Sequence, residues 1–136
     1  MTDEVSFVHL FREAAATSSN RSWLPGDLIE AWDQFVTFCA DGYHDNIYEY
    51  TNDLHVRDTI EAVLRNEPLR ERSEMVWFQE QVEQVDIRFR ALLQEHQLVG
   101  PPERPWWRRH PPKYAGAELA ADYLADHGVH VEVREP

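Results

Sequence analysis

Apolar residues recur at helical spacing from residue 7 to residue 92, with one change of phase along the way. Residues 3–17 predict a first helix. Phe7, Leu10, Phe11 and Ala14 share one face of it, and Asp3 and Glu4 sit where the helix dipole favours acids. A polar stretch, Ser18, Ser19, Asn20 and Ser22, ends it. A second helix is expected from Pro25 to about Asp41, because proline suits a first turn and Leu28, Trp32, Phe35, Val36 and Cys39 form a clean stripe. Asp41 and Gly42 then mark a turn.

Residues 44–66 carry two stripes rather than one. Ile47, Tyr50 and Leu54 belong to the first; Val56, Ile60, Val63 and Leu64 belong to the second. The change predicts a break at 51–54, with Asn52 or Asp53 as the cap of the new helix. Residues 69–96 show the strongest period. Met75, Phe78, Val82, Val85, Phe89 and Leu92 alternate spacings of three and four, which suits one long helix packing at a shallow angle in a bundle.

Gly100, Pro101 and Pro102 forbid helix continuation, and the run to Tyr114 is rich in proline and tryptophan. It is expected to be extended or turn-like. Adjacent Trp106 and Trp107 would then face opposite ways, one buried and one exposed or part-exposed. A short helix over 116–127 follows, with Leu119, Tyr123 and Leu124 inward and Gly128 as its stop. Val129, Val131 and Val133 alternate with polar residues as a short half-buried strand. Its partner is either the segment near Trp106–Arg109, with the helix as a parallel crossover, or its own copy in a dimer. The expected fold is therefore mainly α: a four-helix bundle-like core over 1–99, and a C-terminal Pro/Trp-rich segment, short helix and short β-strand packed on it, in one domain.

Composition narrows the function classes. The 136 residues hold 13 basic and 25 acidic side chains, a net charge of −12. That argues against nucleic acid as a partner, since phosphate backbones select clustered positive charge. A single cysteine, Cys39, excludes an internal disulfide and multi-cysteine zinc sites. No apolar run is long enough for a membrane helix, and the acidic, amphipathic N-terminus does not read as a signal peptide. A cytoplasmic protein is expected.

The charge is unevenly placed. Residues 26–61 hold nine acids against one base, Arg57, a net of −8. This stretch reads either as a solvated face or as a docking surface for a basic protein partner. On the second reading Asp33, Asp41, Asp45, Tyr48, Glu49 and Asp53 are the contact residues. The opposite sign clusters at 104–114, where Arg104, Arg108, Arg109 and Lys113 interleave with aromatics. There the expectation is internal: tryptophans clamping the C-terminal unit and arginines reaching the acidic helices.

Other chemistry is sparse. His44 and His55 flank a polar, tyrosine-rich stretch that could line a cleft for a metal or a hydrolytic reaction. Their spacing fits no paired ligand motif, so no metal, cofactor or catalytic residue is assigned. Arg57 is expected to pair with Asp53 or Glu61, Asp86 with Arg90, and Cys39 to be a buried small apolar group. The long helix and the terminal strand leave a structural module, monomer or homodimer, as a further alternative.

Three runs resemble pieces of small uncharacterised acidic bacterial proteins: Tyr48 to Asp58, Val85 to Phe89, and Trp106 to Tyr114. Some proteins of that kind are immunity proteins against toxins. The resemblance implies a non-enzymatic inhibitor that occludes a basic, nuclease-like partner, and it implies no catalytic residues.

Overall fold

The computed structural model describes residues 6–135. It is mainly helical, with seven α-helices among the described residues: α1 (Phe7–Ala16), α2 (Pro25–Ala40), α3 (Ile47–Asp53), α4 (His55–Leu64), α5 (Glu67–Arg70), α6 (Glu74–Arg90) and α7 (Ala117–His127). Two short strands, β1 (Tyr114–Ala115) and β2 (Glu132–Val133), complete it. The buried residues form one apolar cluster. Helices α1, α2, α4 and α6 build the bundle-like core, with α2 against α6 and α4, and α1 against α4.

Each boundary has a local cause. Ser6 caps α1 by accepting from the His9 N–H at 3.1 Å. The expected acids of the first turn, Asp3 and Glu4, lie outside the described residues. Pro25 opens α2, and its whole predicted stripe is buried. Asn46 caps α3 through the Glu49 N–H at 2.9 Å.

The break falls at Leu54, inside the predicted window, but neither Asn52 nor Asp53 caps α4. Leu54 is the joint and supplies no side-chain cap. Asp53 instead accepts from the Tyr43 hydroxyl at 2.7 Å. The break exists because the two stripes have different hosts: α3 packs on α7, and α4 on α1 and α2.

The expected 69–96 helix is shorter at both ends. Asn66 caps the four-residue α5, accepting from the Leu69 N–H at 3.1 Å, and the chain turns before α6 starts at Glu74. At the far end the helix stops at Arg90, ten residues before Gly100. There the Pro-rich segment takes over its backbone groups. Lys113 N–H donates to Leu92 O and Gln94 N–H to Pro111 O, both at 2.8 Å. Strand-like bonding to a distant segment replaces the last helical turn.

The 104–114 run is not extended at its tryptophans. Trp106–Arg108 form a single 3-10 turn. Trp107 is buried and Trp106 half-buried. β1 and β2 pair in parallel within the chain, Tyr114 opposite Glu132, with α7 as the crossover. The strand partner thus lies some residues beyond the expected Trp106–Arg109. The alternation also fails at its end: Val131 is buried but Val133 is exposed, as is Leu124 on α7, which faces solvent rather than the core. Gly128 ends α7 with a left-handed φ of 65°.

Gly42 ties the two halves together. Its φ is +99°, and a Cβ there would stand 2.0 Å from the carbonyl oxygen of Arg134. Gly42→Ala is therefore expected to lose about 1–3 kcal/mol from backbone strain alone, more if the C-terminal segment is displaced. Urea unfolding checks this; an unchanged midpoint contradicts it.

Candidate functional site: an acidic, apolar-lined cleft

An open cleft of about 440 Å³ lies between α2 and the α3–α4 joint. Trp23, Phe35, Phe38, Tyr43 and Val56 give it an apolar lining. Asn52, Asp53 and His55 are its polar residues on the α3–α4 side, and Ser19, Gln34 and Thr59 complete the polar part. Phe38 lies off the buried stripe of α2 and is 37% exposed. It meets Tyr43 edge-on with ring centres 5.0 Å apart, and it packs on His44 at 4.5 Å. Tyr43 also touches Phe35 and Tyr50, so its ring is held on three sides. Burial, then the hydrogen bond to Asp53, pushes the Tyr43 hydroxyl well above its ordinary range. It stays a neutral donor and holds the Asp53 carboxylate beside the aromatic surface. Trp23 donates its indole N–H to Ser19 Oγ at 3.2 Å and lies under Arg21 at 4.0 Å.

The six sequence-predicted contact residues do not form one patch. Asp53 lines the cleft. Asp45, Tyr48 and Glu49 surround the start of α3. Tyr48 is 81% exposed, and Asp45 accepts from the Asn46 N–H at 2.7 Å. Asp41 is exposed at the end of α2. Asp33 stands apart, turned towards α6 and ion-paired with Arg88. Of the nine acids in 26–61, Asp33, Asp58 and Glu61 are engaged by arginines. Asp27, Glu30, Asp41, Asp45, Glu49 and Asp53 make no ion pair among the described residues. The negative surface that remains therefore lies largely along α2, the α2–α3 loop and α3.

The engaged acids hold the scaffold under the cleft. Arg57, 4% exposed, grips Asp86 with two hydrogen bonds of 2.9 and 3.0 Å and reaches Glu61 at 3.1 Å. Trp32 donates its indole N–H to the same Asp86 at 3.0 Å. The expected partners differ in part: Arg57 takes Glu61 but not Asp53, and Asp86 takes Arg57 rather than Arg90. Arg90 lies over the Trp106 ring at 4.2 Å instead. Asp58 accepts from Trp107 Nε1 at 2.7 Å and from Arg108 at 2.6 Å. The tryptophans do clamp the C-terminal segment, and an arginine does reach an acidic helix.

Burial opposes ionisation of Asp58, but hydrogen bonds from Arg108 and Trp107 outweigh it and hold the carboxyl below the usual 3.8. Glu61 is likewise held below 4.5, by Arg65 and Arg57 against its burial. A folded-state pKa below the unfolded one contributes stability above the unfolded value and loses it as pH falls. Stability is therefore expected to decline below about pH 4, and Asp58→Asn is expected to flatten that acid limb. Chemical unfolding between neutral and acid pH checks it; parallel acid limbs in the two proteins contradict it.

His55 lines the cleft, but its ring is occupied: Nδ1 is 3.2 Å from Asp58 and Nε2 meets the Ser18 carbonyl. His44 is packed on Phe38. Among the described residues no group of three His, Cys, Asp or Glu side chains is placed to hold a metal ion. Burial pushes the Cys39 thiol far up, which leaves it a small apolar group. No helix among the described residues is long and apolar enough to cross a membrane.

Sequence reasoning missed the apolar half of this cleft. Trp23 lies in a polar loop, and Phe38 interrupts no pattern when α2 is read for its core stripe. The available signal was Phe38 itself, a large aromatic residue standing off that stripe. No family model, curated protein or solved structure matches the chain.

Proposed function

We propose that this is a non-enzymatic acidic binding protein of the immunity type, cytoplasmic, which docks a basic protein partner such as a nuclease-like toxin and occludes its active site. The observation that carries the reading is the cleft. An apolar lining with one carboxylate, Asp53, held at its wall lies beside the unpaired acids Asp45 and Glu49 and the exposed Tyr48. Interfaces concentrate their energy in a few aromatic and arginine contacts set in desolvated pockets. A partner side chain with an apolar stem and a basic head fits both halves of this site. The surrounding acids accelerate encounter with a basic surface and disfavour acidic competitors.

Phe38→Ala and Asp53→Asn test it, with the product of any toxin-like reading frame immediately upstream as the partner. Each is expected to weaken the complex about tenfold or more, the loss of one hot-spot contact. Asp33→Asn, at the ion pair with Arg88, is expected to change affinity less than about twofold. Equal effects at all three positions would contradict docking at the cleft. Failure of wild-type protein to bind or protect would contradict the immunity role itself.

A further inference from the structure

A second cavity, of about 60 Å³, lies on the far side of α3, where α3, α7 and the Pro/Trp-rich segment meet. Its polar lining is opposite in character to the rest of the protein. Arg104, Arg108, His110 and His127 face it, together with the rings of Tyr50 and Tyr123, and no carboxylate lines it. Tyr50 is 3% exposed and Tyr123 5% exposed. Neither hydroxyl has a hydrogen-bond partner among the described residues, yet no fully buried side-chain oxygen or nitrogen is left unsatisfied. Both hydroxyls therefore keep some accessible surface, and both residues line the cavity. Burial pushes both phenols above their ordinary range, so they remain donors.

The arginines differ. Arg108 is neutralised by Asp58. Arg104 makes no ion pair among the described residues, although Asp58, Glu61 and Glu103 line the neighbouring cleft on its other side. Its guanidinium is seated over Gly100, where a Cβ would come within 2.7 Å of Cζ, and Arg109 Nε holds its carbonyl at 2.9 Å. Gly100 has a φ of +74°. A left-handed glycine thus makes room for a cation that is in no ion pair among the described residues. Phenol donors with no protein acceptor among the described residues, next to such a guanidinium, favour an acceptor of negative charge.

We propose that this cavity binds a tetrahedral oxyanion, a phosphate group, held by the Arg104 guanidinium and the Tyr50 and Tyr123 hydroxyls. The space has room for roughly two to four waters, which a bound group would displace. The group can be free inorganic phosphate or the phosphate end of a small monoester whose body stays outside.

The test is thermal unfolding and calorimetric titration of the full chain with inorganic phosphate, with phenyl phosphate, and with chloride at matched ionic strength. Phosphate at about twenty times its dissociation constant is expected to raise Tm by roughly 5 °C over the chloride control. Arg104→Gln, at an exposed position, and Tyr123→Phe, which removes only a hydroxyl, are each expected to lower affinity at least about tenfold; their circular dichroism establishes that they fold. Tighter binding of phenyl phosphate assigns the site to a monoester; binding of inorganic phosphate alone assigns it to the free ion. No phosphate effect beyond chloride, or an equal effect in both variants, overturns the proposal and leaves a hydrated cavity. Because this site is separate from the acidic cleft, its failure leaves the docking proposal standing.

Discussion

Arg57→Ala is expected to destabilise the fold by about 3–5 kcal/mol, the usual consequence of removing one partner of a buried ion pair. Among the described residues Asp86 would keep only the Trp32 indole as a donor, and Glu61 only Arg65. The loss should exceed that of any surface pair here, such as His9 with Glu13, whose exposed geometry contributes at most about 1 kcal/mol. In a chain of this size the change is expected to lower Tm by roughly 10–20 °C. Replacing both partners, Arg57→Met with Asp86→Leu, should recover much of the stability, because the damage comes from an unpaired buried charge rather than from loss of attraction. Urea unfolding of the single and double variants decides it. A single variant within about 1 kcal/mol of wild type would mean that water reaches Asp86 and that the pair does not organise the core.

Trp107→Ala is the second large effect, again about 3–5 kcal/mol. Three things are lost together. The indole leaves a cavity between the C-terminal segment and the bundle, Asp58 loses its 2.7 Å donor, and Arg57 loses an aromatic face 4.3 Å away. Trp107→Phe keeps much of the ring and removes the N–H, so its smaller loss isolates the hydrogen bond. Hydrogen exchange adds a spatial check. The alanine variant should lose protection first at Lys113, whose amide bonds to Leu92, and at Glu132, whose amide bonds to Lys113. Uniform loss across α2 and α6 instead would mean that the C-terminal segment is not held separately by the tryptophan.

The helices were legible because each buries a stripe whose period the chain states directly: Leu28 to Cys39 on α2 and Met75 to Phe89 on α6 are buried as spaced. The ends were less legible. Residues 91–96 continue the apolar pattern, but whether Leu92 O bonds along the helix or to Lys113 depends on a segment some twenty residues away, which periodicity does not encode. The same holds for charge pairing. Arg57 has acids at helical spacing on its own helix, yet its strongest partner is Asp86, brought in by α6. The acidic surface was readable as composition. Its division into acids engaged by arginines and acids in no ion pair among the described residues was not, because Arg88 and Arg108 come from distant elements. The cleft needed Trp23 and Phe38 to be brought against Tyr43 and Val56, and only the fold does that.

On the proposed function, the acids beside the cleft drive docking of a basic partner. The direct measurement is the association rate of the wild-type complex as salt rises from about 0.1 to about 1 M, over which the Debye length falls from about 10 to about 3 Å. The association rate is expected to fall at least about tenfold, with a smaller change in dissociation rate. The triple variant Asp45→Asn, Glu49→Gln, Asp53→Asn is expected to begin slow and to lose most of that salt dependence. A complex whose association rate is indifferent to salt, and to those three acids, would contradict electrostatic docking at the cleft.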